Sequence, residues 1–156
     1  MSGLRIDVAD LLAHPGTRRD VRVSAPLEGL AGSAARVTEP VDLAVTLERI
    51  PDGIVVRGTV QTRWQSQCSY CLTELDEPIE LHFDELFETD PVEGETYPIE
   101  GHEIDLEQLV RDSLIVELPL APHCAAACAV PVIDESNQDR PKDPRWAVLE
   151  ELKRES

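Results

Sequence analysis

No lysine or arginine occurs between Glu74 and Glu107, a stretch that holds fourteen aspartates and glutamates. Nucleic-acid binding draws its affinity from cations that displace phosphate counterions, so this stretch repels a phosphate backbone. Aromatic residues make up only 4% of the chain, which leaves few rings on which bases can stack. No run of about 18 apolar residues exists that would cross a membrane as a helix. The start, Met1-Ser2-Gly3-Leu4-Arg5-Ile6-Asp7, lacks the basic opening and apolar stretch of a signal peptide. A cytoplasmic location with no membrane contact is therefore expected, in a compartment where disulfides are rare. Cysteine is absent everywhere except at two points of the chain.

At 156 residues and 42% hydrophobic content, the chain is expected to form a single domain over residues 1–156 with a real core. Its net charge of −17 is uneven. Residues 1–67 carry eight Lys/Arg against eight Asp/Glu, whereas residues 68–156 carry six against 23. An acidic half of this kind suits a basic partner, a ribosomal protein or another Lys/Arg-rich assembly protein, drawn in electrostatically and released by salt. The candidate partner-binding residues are Glu85, Glu88, Asp90, Glu93, Glu95 and Trp146. The bland alternative is acidity that only keeps the protein in solution.

The cysteines are Cys68 and Cys71 in Gln67-Cys68-Ser69-Tyr70-Cys71, and Cys124 and Cys128 in His123-Cys124-Ala125-Ala126-Ala127-Cys128, separated by 52 residues without another. A Cys-x2-Cys knuckle lets one tight turn aim two sulfurs at a single ion, and four thiolates together make a tetrahedral site for one structural Zn²⁺. The Cys-x3-Cys half is looser, because three alanines impose no turn. Free structural thiols are the second reading, and a disulfide or redox pair the third. The third suffers from context: Glu74, Asp76 and Glu77 lie just downstream, and acidic neighbours raise a thiol pKa.

Along the chain, Leu4–Asp7 reads as a short strand, Val8–Ala13 as a helical turn and Val21–Val23 as a second strand. Val41, Leu43, Val45 and Leu47 then alternate with polar or small residues, the period-two pattern of a half-buried strand. Pro51-Asp52-Gly53 marks a turn, after which Ile54, Val56, Val60 and Trp64 share one face of a pairing strand. Gly58 in that face implies a bulge or a close backbone approach. Ile79, Leu81 and Phe83 form a third strand, so the first cysteine pair sits at a hairpin tip with its sulfurs turned outward. Residues 88–103 read as an acidic, mobile loop too poor in apolar residues to pack. Asp105 caps a helix whose Leu106, Leu109, Val110 and Leu114 recur at helical spacing, ended by Pro119 and Pro122. Residues 129–142 read as a linker, and Asp143-Pro144 opens a terminal helix over 143–154 that either docks on the sheet, the preferred reading for its Trp146, or is held ready for a partner. The expected architecture is α+β: an antiparallel sheet of about five or six strands, curling toward a barrel, with one packed helix and a C-terminal helix.

Three stretches together resemble the YceD family, the large ribosomal RNA subunit accumulation proteins. They are Cys68-Ser69-Tyr70-Cys71 after a strand, Glu103-Ile104-Asp105-Leu106 through Leu118-Pro119-Leu120-Ala121-Pro122 to Cys124, and Asp143-Pro144-Arg145-Trp146-Ala147-Val148-Leu149 with Leu152-Lys153. The likeness spans about the C-terminal two-thirds of the chain in the same order. It implies a ribosome biogenesis role, supporting the synthesis, processing or stability of large-subunit 23S ribosomal RNA, with no established enzymatic activity. Many members continue the second cysteine pair into further cysteines, where this chain reads Ala129-Val130-Pro131-Val132-Ile133.

The preferred expectation is a non-enzymatic factor acting mainly through protein contacts. A zinc-dependent or thiol enzyme is the alternative, with the four cysteines as ligands and His102 or His123 as proton carrier. No Ser-His-Asp set, phosphate loop or His-Glu-x-x-His helix supports it. Direct RNA binding through Arg18, Arg19, Arg22, Arg36, Arg49, Arg57 and Arg63 of the N-terminal half is the third reading.

Overall fold

The alternation that begins at Val41 produces a strand paired on both sides, by Arg18–Ala25 and by Gly53–Gln67. In the computed structural model, which describes residues 3–126, 128 and 144–146, strands β1 (Arg5–Asp7), β2 (Arg18–Ala25), β3 (Ala35–Val37), β4 (Val41–Ile50), β5 (Gly53–Gln67), β6 (Glu74–Glu88), β7 (Tyr97–Glu100) and β8 (Glu103–Asp105) form one sheet. Helix α1 spans Ala9–Ala13, helix α2 spans Leu106–Glu117, and a 3-10 turn covers Pro144–Trp146. The strand order is β1-β8-β7-β6-β5-β4-β2, with β3 also pairing β5.

Val41, Leu43, Val45 and Leu47 of β4 are buried opposite Val60, Val56 and their neighbours on β5. The whole of β5 pairs β6, from Ile54 opposite Phe87 to Gln67 opposite Glu74. Gly58 lies between Val45 and Phe83 in this ladder, and the register runs through it without a bulge. A Cβ there would run into the Ala44 carbonyl oxygen and stand 2.7 Å from Val45 Cα, so the backbones meet where only glycine fits.

α2 lays Leu106, Leu109, Val110 and Leu114 into the concave side of the sheet. Asp105 caps it, its side chain accepting from the Glu107 N–H at 2.9 Å. Arg111 pairs with Glu107 one turn back, at 2.7 Å, and donates to the Glu28 carbonyl at 2.9 Å, which ties the helix to the loop before β3. Leu4, Val8 and Leu11 close the same core from the N-terminal side.

The expected α+β architecture is overturned. The molecule is mostly sheet, curled into a half-barrel, and the sheet is mixed because β7 runs parallel to β6 at Phe87 and Glu88. Among the described residues α2 is the one helix longer than two turns. The extra strands come largely from the segment read as a bare acidic loop. Tyr97 stacks on Phe87 with ring centroids 5.2 Å apart, and Ile99 is buried, so 97–105 is anchored as β7 and β8 despite its charge. The linker 129–142 and the terminal helix 143–154 lie outside the described residues, except for Pro144–Trp146. There Trp146 is 62% exposed, so the expected docking of this side chain is not observed. No helix among the described residues is long and apolar enough to cross a membrane.

Candidate functional site

The two cysteine pairs converge because two segments meet at one end of the sheet. β5 and β6 are joined by the tip 68–73, where the Cys68 N–H donates to the Thr73 carbonyl at 2.8 Å and the Leu72 N–H to the Cys68 carbonyl at 3.0 Å. The tightness of this turn puts Leu72 in the left-handed region at φ 61°, uncommon and costly for a residue with a Cβ. The second pair arrives on the extended stretch after α2. The Leu118 N–H closes the helix onto the Leu114 carbonyl, and Pro119 prevents it from continuing. The Ser69 N–H then donates to the Pro122 carbonyl at 2.7 Å, stitching this stretch to the hairpin tip.

As a result the sulfurs of Cys68, Cys71, Cys124 and Cys128 all lie within 4.8 Å of one another. Cys68 and Cys128 sulfurs are 3.9 Å apart, and those of Cys71 and Cys124 are 3.5 Å apart. Zinc–sulfur bonds of about 2.3 Å set the edge of a regular ZnS₄ tetrahedron at about 3.8 Å, so the cluster has the size of a zinc site. The same separations are far longer than the ~2 Å of a disulfide, and the four cysteines are free. Cys68 is buried and the other three half-buried. The sulfurs thus face inward to each other, where the sequence had implied an outward-facing tip.

The thiols are not equivalent. Backbone hydrogen bonding, first at Cys71 and then at Tyr70 and Cys124, outweighs burial and pulls Cys68 down to about 6. Hydrogen bonding to Thr73, whose hydroxyl is 3.1 Å away, lowers Cys71. Cys124 is pushed up to about 12, first by its hydrogen bond with Cys71, and Cys128 is raised, first by burial. Two sulfurs on the knuckle favour the thiolate, and two on the facing stretch hold protons against that negative charge. A divalent cation with affinity for thiolate at the centre lets all four ionise together, so the donor set fits Zn²⁺.

The other expected residues lie outside the cysteine cluster. Glu85 and Glu88 are half-buried on β6, and Glu88 accepts from the Thr96 hydroxyl at 2.8 Å. Asp90, Glu93 and Glu95 are exposed on the connection to β7. The sequence did not point to Tyr97, which ties this region to α2 by donating to Asp112 at 3.1 Å. His123 sits beside the cysteines, edge-on to Tyr70 with centroids 6.1 Å apart and its Nδ1 3.2 Å from the Ala121 carbonyl. His102 is remote from them, in the turn between β7 and β8, its carbonyl accepting from the Val8 N–H. Among the arginines, Arg18 pairs with Glu48, Arg19 with Asp10, Arg57 with Glu48 and Asp84, and Arg63 with Asp76. Arg49 donates to the Ile50 and Gly53 carbonyls.

Residues 56–153 match the family model described as large ribosomal RNA subunit accumulation protein YceD. The chain belongs to the YceD family. It is 30% identical to the uncharacterized protein Rv2926c of Mycobacterium tuberculosis, over 97% of this chain and 82% of that one. It is 26% identical to the uncharacterized protein ML1660 of Mycobacterium leprae, over 97% and 78%. The uncharacterized protein YlbN of Bacillus subtilis is 30% identical over 54% of this chain and 58% of its own. No solved structure matches. The family description ties the chain to accumulation of the large-subunit ribosomal RNA.

Proposed function

We propose that this chain is a non-enzymatic ribosome biogenesis factor that supports accumulation of 23S ribosomal RNA by holding a basic ribosomal or assembly protein on its acidic half. The observation that carries this reading is the four-sulfur cluster at the end of an acidic sheet. Four protein sulfurs complete a tetrahedral sphere around one Zn²⁺ and leave no open position for a substrate, which is the arrangement of a structural site. Cys68, Cys71, Cys124 and Cys128 would hold the ion, and its chemistry is to neutralise the thiolates and cross-link two chain segments.

The partner surface is formed by Glu85, Glu88, Asp90, Glu93 and Glu95, with the exposed Trp146 as a further contact. The pairing of most N-terminal arginines with carboxylates or carbonyls leaves little free positive charge for RNA, which favours a protein partner. Glu93 and Glu95 offer the cleanest test, because both are exposed and outside the core. Replacing both by lysine is expected to leave the fold intact, to release a basic partner captured by the wild-type chain at low salt, and to fail to restore 23S ribosomal RNA in cells depleted of the protein. Capture of only neutral or acidic partners, held equally at low and high salt, would overturn the reading.

A further inference from the structure

Among the described residues, β6 pairs on one side only over most of its length: β5 runs along the full strand, and the other edge meets β7 at Phe87 and Glu88 alone. From Glu74 to Leu86 no strand pairs this edge among the described residues, and no backbone hydrogen bond from elsewhere in the described chain reaches it. Pro78 divides the free edge and removes one donor, as edge strands tolerate. The stretch from Ile79 to Leu86 is uninterrupted and is longer than the five or six residues of an ordinary strand.

The side chains on this stretch select what can pair with it. On the outer, convex face Glu80, His82 and Asp84 are exposed, while on the inner face Ile79 and Leu81 are half-buried and Phe83 is buried. β5 already shows what complements such a strand: Arg57 stands directly opposite Asp84 and pairs with it at 2.9 Å, and Arg63 reaches Asp76 at 2.7 Å. A second copy of the chain is disfavoured on the free edge, because antiparallel pairing of two β6 strands sets acids against acids. The same charges that exclude self-association admit a basic strand.

We infer that the free edge of β6, from Ile79 to Leu86, receives an extended Lys/Arg-rich segment of a partner protein as an added antiparallel strand. Basic residues at alternate positions of that segment face Glu80 and Asp84, and the intervening apolar residues cover Ile79 and Leu81. Backbone bonds hold the segment and the alternation of charge sets its register. This inference deepens the acidic-partner reading proposed above and rests on it, naming the strand edge and the form of the occupant.

The test uses the full chain and a short peptide of alternating lysine and valine, beside the same peptide N-methylated on alternate amides. Both carry equal charge, but the second cannot complete a ladder. The expected result is that the plain peptide binds, protects alternate amides of 79–86 from hydrogen exchange, and outbinds the methylated peptide by about tenfold or more. Glu80→Lys, on the exposed face, is expected to weaken the plain peptide and leave the fold unchanged. Equal binding of the two peptides with no protection over 79–86 would overturn the added strand while leaving an acidic surface for basic partners. Binding of neither peptide at low salt would overturn both.

Discussion

The backbone N–H of Ser69 donates to the carbonyl oxygen of Pro122 at 2.7 Å, and this bond joins the tip of the β5–β6 hairpin to the stretch that leaves α2. It brings Cys68 and Cys71 to Cys124 and Cys128 across more than fifty residues of chain. The cysteines are thus placed by ordinary secondary structure, and the metal they would hold fastens a junction whose main elements pack independently of it.

That division predicts a local effect of metal removal. The core cluster includes β4, β5 and α2 residues but none of the cysteines. Stripping zinc with a strong chelator, or replacing Cys124 and Cys128 together by serine, is expected to raise hydrogen exchange at the Ser69 amide while the amides of β4 and β5 stay protected. Cooperative unfolding of the whole sheet on chelation would contradict it.

Gly58 gives a second expectation. A methyl group there meets the Ala44 carbonyl and Val45, so Gly58→Ala is expected to cost about 1–3 kcal/mol in urea denaturation. Gly32→Ala is the control, since its nearest neighbour would be Leu118 at an ordinary 3.6 Å. That substitution is expected to change stability by no more than about 0.5 kcal/mol.

Tyr97 supplies a pH dependence. Burial, followed by its hydrogen bond to Asp112, pushes its hydroxyl up to about 12 from the ordinary 10. The group is an acid whose neutral form the folded state prefers, so its contribution is complete below pH 10. It is lost as pH rises from 10 through about 12, where the unfolded chain ionises first. Stability measured across that window is expected to fall for the wild type and to fall less steeply for Tyr97→Phe.

How much of this was legible in the sequence depends on the element. The alternation of Val41, Leu43, Val45 and Leu47 is clear because one face of β4 packs and the other does not, and period-two burial leaves that trace. Asp105 and the leucines after it read correctly as a capped helix for the same kind of reason. β7 and β8 were hidden because they are only four and three residues long, and their anchors, Tyr97 and Ile99, sit among acids that read as loop. The α+β expectation failed on those strands. The convergence of the cysteines was implied by their spacing, but not the inward burial of Cys68, which depends on the Pro122 carbonyl arriving from a distant stretch.

The central claim is that four cysteines form one metal clasp at the end of an acidic half-barrel. The measurement that tests it most directly is elemental analysis of the chain purified without chelator, with thiol titration of the same sample under denaturing conditions. The account predicts about one zinc per chain and four titratable thiols, lost in step when Cys124 and Cys128 are replaced. No bound metal with four free thiols would contradict it.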